Sequence, residues 1–344
     1  MIYEEMTKRI RSICEKLLEN KEVDLIIAYT GGGVDGAQIP FFATEPADAK
    51  NIEWGDRCCQ NLAKYLHGLD KKAGILARPC DARAIVQYIT EQQVKREDVY
   101  IIGVDCLGLV DENGDPRPGC SECSVHNPPL YDDYVKDNRV PGPADAAASA
   151  TESIETDAAE TDGAEASATA APPQSRELFE EETASGPAAD VGATESKETD
   201  AAEADGAGSA NAILPQNLER FKKEIDKCIL CYACRQACYG CYCKTCFIER
   251  DLPDWAPAEI DAGTKMTFHL GRTMHLAGRC VECGACEAAC QSGVNLRYII
   301  KEVTEFVGDV YGYSAGMDAE ERPALLTNEF DDREIGFLGG ETHE

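Results

Sequence analysis

The sequence predicts an α/β N-terminal domain with a βαβ unit, a disordered acidic linker, and an α-helical, cysteine-rich C-terminal domain. Three observations carry this. Strand and helix patterns alternate over 73–104. The composition changes abruptly over 143–212. Beyond that lie two matching four-cysteine runs, set among apolar residues at helical spacing. The expected bounds are 1–142, 143–212, 213–307 and a C-terminal tail over 308–344.

The first element is helical, because Met6, Ile10, Ile13 and Leu17 recur every three or four residues. Cys14 lies on that apolar face as a core thiol. Leu25 to Tyr29 reads as a strand. Gly31-Gly32-Gly33-Val34-Asp35-Gly36 then matches G-x-G-x-x-G. A dinucleotide site requires a helix to begin there, and Pro40 interrupts the next turn. Gly31, Gly33 and Gly36 are therefore candidates to approach a cofactor, with a plain turn as the competing reading. Ala73–Ala77 is a strand, Asp81–Glu91 a helix capped by Asp81, and Asp98–Val104 a buried strand. Two parallel strands joined by a helix form the βαβ unit.

Residues 143–212 hold 17 Asp/Glu against two basic residues, Arg176 and Lys197, and a single aromatic, Phe179. Such a segment cannot bury enough apolar surface to offset its ordering entropy and is expected to be disordered. It carries about half of the net charge of −30. That charge argues against nucleic-acid binding, which needs a basic surface. No apolar stretch approaches the ~18 residues that span a bilayer. The acidic N-terminus lacks a signal core, so a cytoplasmic, reducing setting is expected, where cysteines bind metal more often than they pair.

Leu214, Leu218, Phe221 and Ile225 predict a helix before the first run, and Leu296, Ile299, Ile300, Val303, Phe306 and Val307 one after the second. The runs are Cys228-x2-Cys231-x2-Cys234-x3-Cys238 and Cys280-x2-Cys283-x2-Cys286-x3-Cys290. A [4Fe–4S] cubane takes one thiolate per iron. The two-residue gaps wrap one corner of the cube, and the x3 step carries the fourth cysteine to the other cluster. One cluster is thus expected on Cys228, Cys231, Cys234 and Cys290. The other is expected on Cys280, Cys283, Cys286 and Cys238. Zinc sites usually pair two C-x2-C knuckles instead. Tyr239 and Gln291 stand where ferredoxin runs usually place proline.

Cys80 and Cys106 fall just past the carboxyl ends of the two βαβ strands, where ligands collect in open α/β sheets. Cys120-x2-Cys123 follows in a Gly/Pro-rich loop free to fold back on them. These four are candidates for a third cluster, with Cys58 and Cys59 competing and a set of inert core thiols as the alternative. Cys241, Cys243 and Cys246 are extra, and non-ligand roles are favoured for most of them. His67, His126, His269, His275 and His343 show no ligand spacing, although His275 is near enough to Cys280 to tune a cluster. Trp54 and Trp255 read as packing residues.

The gap between the runs exceeds that of a compact bacterial ferredoxin. It resembles the α-helical ferredoxin-type domains of succinate dehydrogenase and heterodisulfide reductase. The chain as a whole resembles the beta-subunit family of F420-reducing hydrogenases, formate dehydrogenases and sulfhydrogenases. The residues that carry this are Arg78-Pro-Cys-Asp-Ala-Arg-Ala-Ile85, Ile101-Ile-Gly-Val-Asp-Cys106, Asn61-Leu-Ala-Lys-Tyr-Leu66, Asp226 through Cys243, and Arg279-Cys-Val-Glu-Cys-Gly-Ala-Cys-Glu-Ala-Ala-Cys290. The likeness covers most of 1–135 and 213–305. It implies an iron–sulfur subunit that passes electrons between a catalytic partner and a second redox protein. Such partners are a hydrogenase, a formate dehydrogenase or a heterodisulfide-reductase-like flavoprotein. Sulfhydrogenase-type members share the cysteine after each strand and the nearby pair, which supports the third cluster. Some relatives bind a flavin and reduce F420, so a flavin-bearing reductase is the alternative. A non-redox metal scaffold is the least favoured reading.

Overall fold

The computed structural model describes residues 2–140, 210–250 and 260–323. The expected linker lies outside the described residues except for its last three, which open a helix. Trp255, His343 and the tail beyond 323 also lie outside them.

The N-terminal part is an α/β unit. Helix α1 (Ile2–Glu19) buries Met6, Ile10, Cys14 and Leu17. Five strands follow: β1 (Leu25–Thr30), β2 (Ile39–Ala43), β3 (Ala73–Ala77), β4 (Val99–Val104) and β5 (Asp133–Val135). Their order in the sheet is β2-β1-β3-β4-β5, with β2 antiparallel to β1 and the other neighbours parallel. Strands β3 and β4 are joined by α2 (Pro79–Thr90), the βαβ unit expected from the pattern. β2 was not expected because it contains Pro40. Proline lacks an N–H and is tolerated at a sheet edge, and β2 is an edge strand. β5 is only three residues long and gives no periodic signal.

The G-x-G-x-x-G stretch is the turn between β1 and β2. Gly33 N–H donates to Ala37 O (3.0 Å), and a single 3-10 turn at Val34–Gly36 leads into a strand rather than a helix. The condition for a dinucleotide fingerprint is therefore not met.

Helix α2 begins two residues before the expected cap. Pro79 sits in its first turn, where a missing N–H costs nothing. Asp81 instead occupies the third helical position, and its carboxylate accepts the Arg78 N–H (3.1 Å). The same carboxylate receives Leu62 N–H (2.9 Å) and Arg78 Nε (2.8 Å). Arg78 and Asp81 are both fully buried, and the Arg78 guanidinium also donates to the carbonyls of Cys58 and Gln60. A buried guanidinium is tolerated only with this degree of pairing.

After Pro118–Ser121 (α3), the C-terminal part is helical: α4 (Ala210–Asp226), α5 (Ala233–Ala237), α6 (Ala262–His275), α7 (Ala285–Ala288) and α8 (Leu296–Tyr311). The stripe on α8 buries Leu296, Ile299, Ile300 and Val307, but leaves Phe306 59% exposed. The part has a thin core of its own: Leu230, Cys234, Ile248, Phe268, Val294 and Leu296. Several cysteines complete that cluster, as expected of a small unit that needs a staple beyond apolar packing.

The segment read as a loose tail is partly built into the α/β core. α8 runs on to Tyr311, and Tyr313 and Ala315 are buried. Tyr313 OH donates to Gln87 Oε1 (2.9 Å) and Arg83 Nε to Ala315 O (3.0 Å), so this stretch clasps α2. Gly316 has φ +71°, and a Cβ there would collide with the Arg83 carbonyl. Gly316→Ala is expected to destabilise the protein by more than about 1 kcal/mol, read as a lowered midpoint in denaturant unfolding. An unchanged midpoint would show that the clasp does not form.

Candidate metal centre

The two cysteine runs adopt the same backbone. The second residue after the first cysteine (Leu230, Glu282) and the fourth (Tyr232, Gly284) all have positive φ, between 54° and 69°. Three of these are not glycine, so each holds a conformation that costs free energy. The gain is the direction of the amides. Leu230 N–H points at Cys228 Sγ (3.3 Å) and Glu282 N–H at Cys280 Sγ (3.4 Å). Val294 N–H does the same for Cys290 Sγ (3.4 Å). Backbone amides turned inward in this way form a concavity suited to an anion.

The thiols of the two runs are interleaved. Cys228 neighbours Cys290 and Cys231, and Cys234 neighbours Cys286, Cys228 and Cys290. Cys280 feels Cys286 and Cys238, while Cys283 feels Cys238 and Cys286. Cys290 therefore has first-run thiols as neighbours and Cys238 second-run thiols. The two runs are brought together by α5 and α7, which pack against each other. Among the described residues, no three His, Cys, Asp or Glu side chains converge on a single ion. In a cubane each thiolate binds its own iron, so its ligands ring a void rather than a point.

Arg272 on α6 lies against thiols of both runs. It is 4% exposed, and its guanidinium sits against Cys286, Cys238, Cys241 and Cys234. Its Nη2 donates to Cys234 O (3.4 Å), while Nε has no partner. Its neighbour His269 is also buried, and burial together with the Arg272 charge lowers its pKa to about 4, leaving it neutral. Sequence reasoning had no means of finding Arg272, since nothing in a helical stretch marks which arginine turns inward.

The sheet-edge cysteines meet at a second place. Cys80 lies in the first turn of α2, beyond β3, and Cys106 just beyond β4. With Cys120 and Cys123 they line a cavity of about 230 Å³. Gly108 N–H donates to Cys106 Sγ (3.3 Å), and a Cβ on Gly108 would crowd Cys120. Burial pushes the Cys106 thiol up to about 11 and that of Cys80 higher still. His126, missed by spacing arguments, is tied to the Cys106 carbonyl through Nδ1 (3.0 Å) and forms part of the wall. The competing Cys58 lies instead in the apolar core, its Sγ toward Gln38 Oε1 (3.7 Å), and Cys59 Sγ donates to Arg57 O (3.3 Å).

Cys283 also lines this cavity, and it neighbours Cys80. The two cysteine-bearing regions therefore touch. A polar knot holds them so. Arg279, next to Cys280, donates from Nε and Nη2 to the two oxygens of Glu91 (2.5 and 2.7 Å) at the end of α2. Tyr242 OH donates to the same carboxylate (2.8 Å), and the Arg279 guanidinium lies over the Tyr242 ring at 5.0 Å. Tyr88 OH donates to Tyr239 O (2.5 Å), and Tyr239 OH to Arg279 O. His67 stacks on Tyr242 with ring centroids 4.9 Å apart. Trp54 packs beside Tyr29, as a packing residue should.

The arrangement is that of a thiol-rich protein whose two cysteine runs turn backbone amides toward their own sulfurs. The comparisons give the particulars. The chain is 25% identical over 90% of its length to the F420-dependent formate dehydrogenase subunit beta of Methanocaldococcus jannaschii, covering 91% of that chain. It is 25% identical to the F420-dependent formate dehydrogenase 1 subunit beta of Methanococcus maripaludis, over 92% of both chains. The resemblance read from the cysteine motifs is therefore the one the comparisons return. A chain of the F420-reducing [NiFe] hydrogenase complex of Methanosarcina barkeri is 19% identical, spanning 31% of this chain and 42% of that one, at a TM-score of 0.25. No family model matches. Among the described residues, no helix is long and apolar enough to cross a membrane.

Proposed function

We propose that the chain is an iron–sulfur electron-transfer subunit of a cytoplasmic redox complex. In this reading Cys228, Cys231, Cys234 and Cys290 hold one [4Fe–4S] cluster, and Cys280, Cys283, Cys286 and Cys238 a second. Cys80, Cys106, Cys120 and Cys123 hold a third. The observation that carries it is the repeated left-handed loop of the two runs, which turns amides toward their thiols. Arg272 supports the same reading, because a buried guanidinium without a full set of partners is accounted for by thiolates and not by neutral thiols. A bound cubane supplies one-electron chemistry with a potential set by its surroundings. The chain's own residues do the rest. Leu230, Glu282 and Val294 donate amides to the sulfurs, Phe268 and Leu296 exclude water, and Cys283 closes the gap to the Cys80 cavity.

The region over 213–307 then acts as a helical, ferredoxin-type two-cluster domain, tethered by 143–212 to the α/β domain over 1–142. Partners are a hydrogenase, a formate dehydrogenase or a heterodisulfide-reductase-like flavoprotein. The names of the two formate dehydrogenase relatives, both F420-dependent, favour a second reading: a flavin-bearing reductase of F420. An absorption spectrum of anaerobically purified protein separates the two, since flavin bands would favour the second. Absence of a dithionite-bleachable shoulder would overturn both. Cys80→Ser is expected to remove about four irons per chain while leaving the two C-terminal clusters in place, as measured by iron and acid-labile sulfide. An unchanged iron content would overturn the assignment at the sheet edge.

A further inference from the structure

Three carboxylates lie beside cysteines of different loops, and one arginine meets all of them. Glu122 stands between Cys120 and Cys123, Glu282 between Cys280 and Cys283, and Glu287 directly after Cys286. Arg297, the second residue of α8, donates from Nη2 to Glu122 Oε2 (2.6 Å), and its Nη1 lies 3.6 Å from Glu282 Oε1. Its backbone N–H donates to Glu287 Oε1 (3.0 Å). The Arg297 side chain is only 12% exposed. One turn further along α8, Lys301 Nζ donates to the same Glu122 oxygen (2.8 Å).

The loop that carries Cys120 and Cys123 has little else to hold it. Among the described residues, every other hydrogen bond of 118–125 reaches no further than four residues along the chain. Its backbone is pressed onto the arginine: a Cβ on Gly119 would stand 3.2 Å from Arg297 Cδ and 3.8 Å from Glu282 O. Arg297 and Lys301 also line the cavity that Cys80, Cys106, Cys120, Cys123 and Cys283 share. A planar guanidinium can serve two carboxylates at once through separate nitrogens, which a compact ammonium does less well. Without Arg297, Glu122 and Glu282 would be left as like charges a guanidinium's width apart.

We propose that Arg297 is a positioning residue. It clamps the loop carrying Cys120 and Cys123 against the loop carrying Cys280 and Cys283, and so sets the separation between the sheet-edge cluster and the second-run cluster. The cluster separation rests on the proposed electron-transfer function. The clamp itself is made by the chain's own residues and can be tested separately.

The test uses the full-length protein, purified anaerobically, with Arg297→Met, Arg297→Lys, Glu122→Gln and the double variant Glu122→Gln/Arg297→Met. Amide hydrogen exchange over 118–125 is expected to quicken severalfold in the methionine and glutamine variants, with the strands of the sheet unchanged. The double variant should go no further than Glu122→Gln alone, because both changes cut the same bond. Arg297→Lys should recover part of the protection. In the same samples iron should stay near about twelve per chain. The magnetic splitting between the two clusters in the reduced electron paramagnetic resonance spectrum should be lost in Arg297→Met and partly kept in Arg297→Lys. Unchanged exchange over 118–125 in Arg297→Met would overturn the clamp. Faster exchange with an unchanged splitting would overturn its control of the cluster separation. Loss of about four irons from Arg297→Met that Arg297→Lys does not restore would mark a folding role alone and overturn the proposal. Fewer than about eight irons in the natural protein, with exchange still faster in the variants, would overturn the relay and leave the clamp standing.

Discussion

Arg272→Leu is expected to strip the C-terminal region of about eight irons and leave the cluster at Cys80, Cys106, Cys120 and Cys123 in place. The guanidinium sits against Cys234 from one group and against Cys238 and Cys286 from the other. Leucine fills much of the volume but removes a buried cation that neighbours thiols of both runs. Removing one partner of a buried ionic set costs about 3–5 kcal/mol, because the opposite charge is left uncompensated. Under the proposed function that charge would belong to two thiolate-bound clusters at once. Arg272→Lys keeps the charge as a compact point without the planar fork, so partial iron retention and shifted midpoint potentials are expected. Iron analysis and a redox titration followed by electron paramagnetic resonance decide the matter. Full iron content with unchanged potentials in the leucine variant would show that Arg272 is mere packing.

Glu91→Ala is expected to loosen the C-terminal region from the α/β unit without removing iron. The Glu91–Arg279 pair is largely buried, with side chains 11% and 20% exposed, and the carboxylate also serves Tyr242 and Gln87. Its loss should cost about 3 kcal/mol and weaken the magnetic interaction between the Cys80 and Cys283 clusters. The Arg279 hydrogen bonds and charge outweigh burial and hold the Glu91 pKa below its ordinary 4.5. The contact is therefore intact at neutral pH, and is lost as the pH falls through that lowered value. Unaltered unfolding together with unaltered cluster coupling would sink this account of the interface.

Much of this molecule could be read in its sequence, for identifiable reasons. The βαβ unit was legible because β3 and β4 are buried apolar runs flanking a helical period. The two four-cysteine runs were legible from spacing alone, and their shared left-handed loops agree with it, because two residues per gap and a three-residue exit leave the backbone little choice. β2 was hidden by Pro40, whose meaning depends on whether a strand lies at an edge, and an edge is a property of the sheet rather than of the strand. The true start of α2 was displaced because Asp81 serves equally well as a cap and as the third residue of a capping box. Tyr313 and Ala315 were taken for tail because a short polar stretch carries no period, even where two of its residues fill a core. Arg272, His126 and the Glu91–Arg279 pair were invisible, since each depends on contacts between residues far apart in the chain.

Helix α2 carries Cys80 in its first turn and Glu91 directly after its last residue. It therefore works as a measuring rod between the Cys80 cavity and the joint that holds the C-terminal region. A single inserted residue would lengthen it by only about 1.5 Å but swing its far end by about 100°, taking Glu91 away from Arg279. The twelve residues of this helix are thus as fixed in number as the gaps within the cysteine runs. No residue of α2 is exposed, so substitutions along it disturb packed contacts just as insertions and deletions disturb its length.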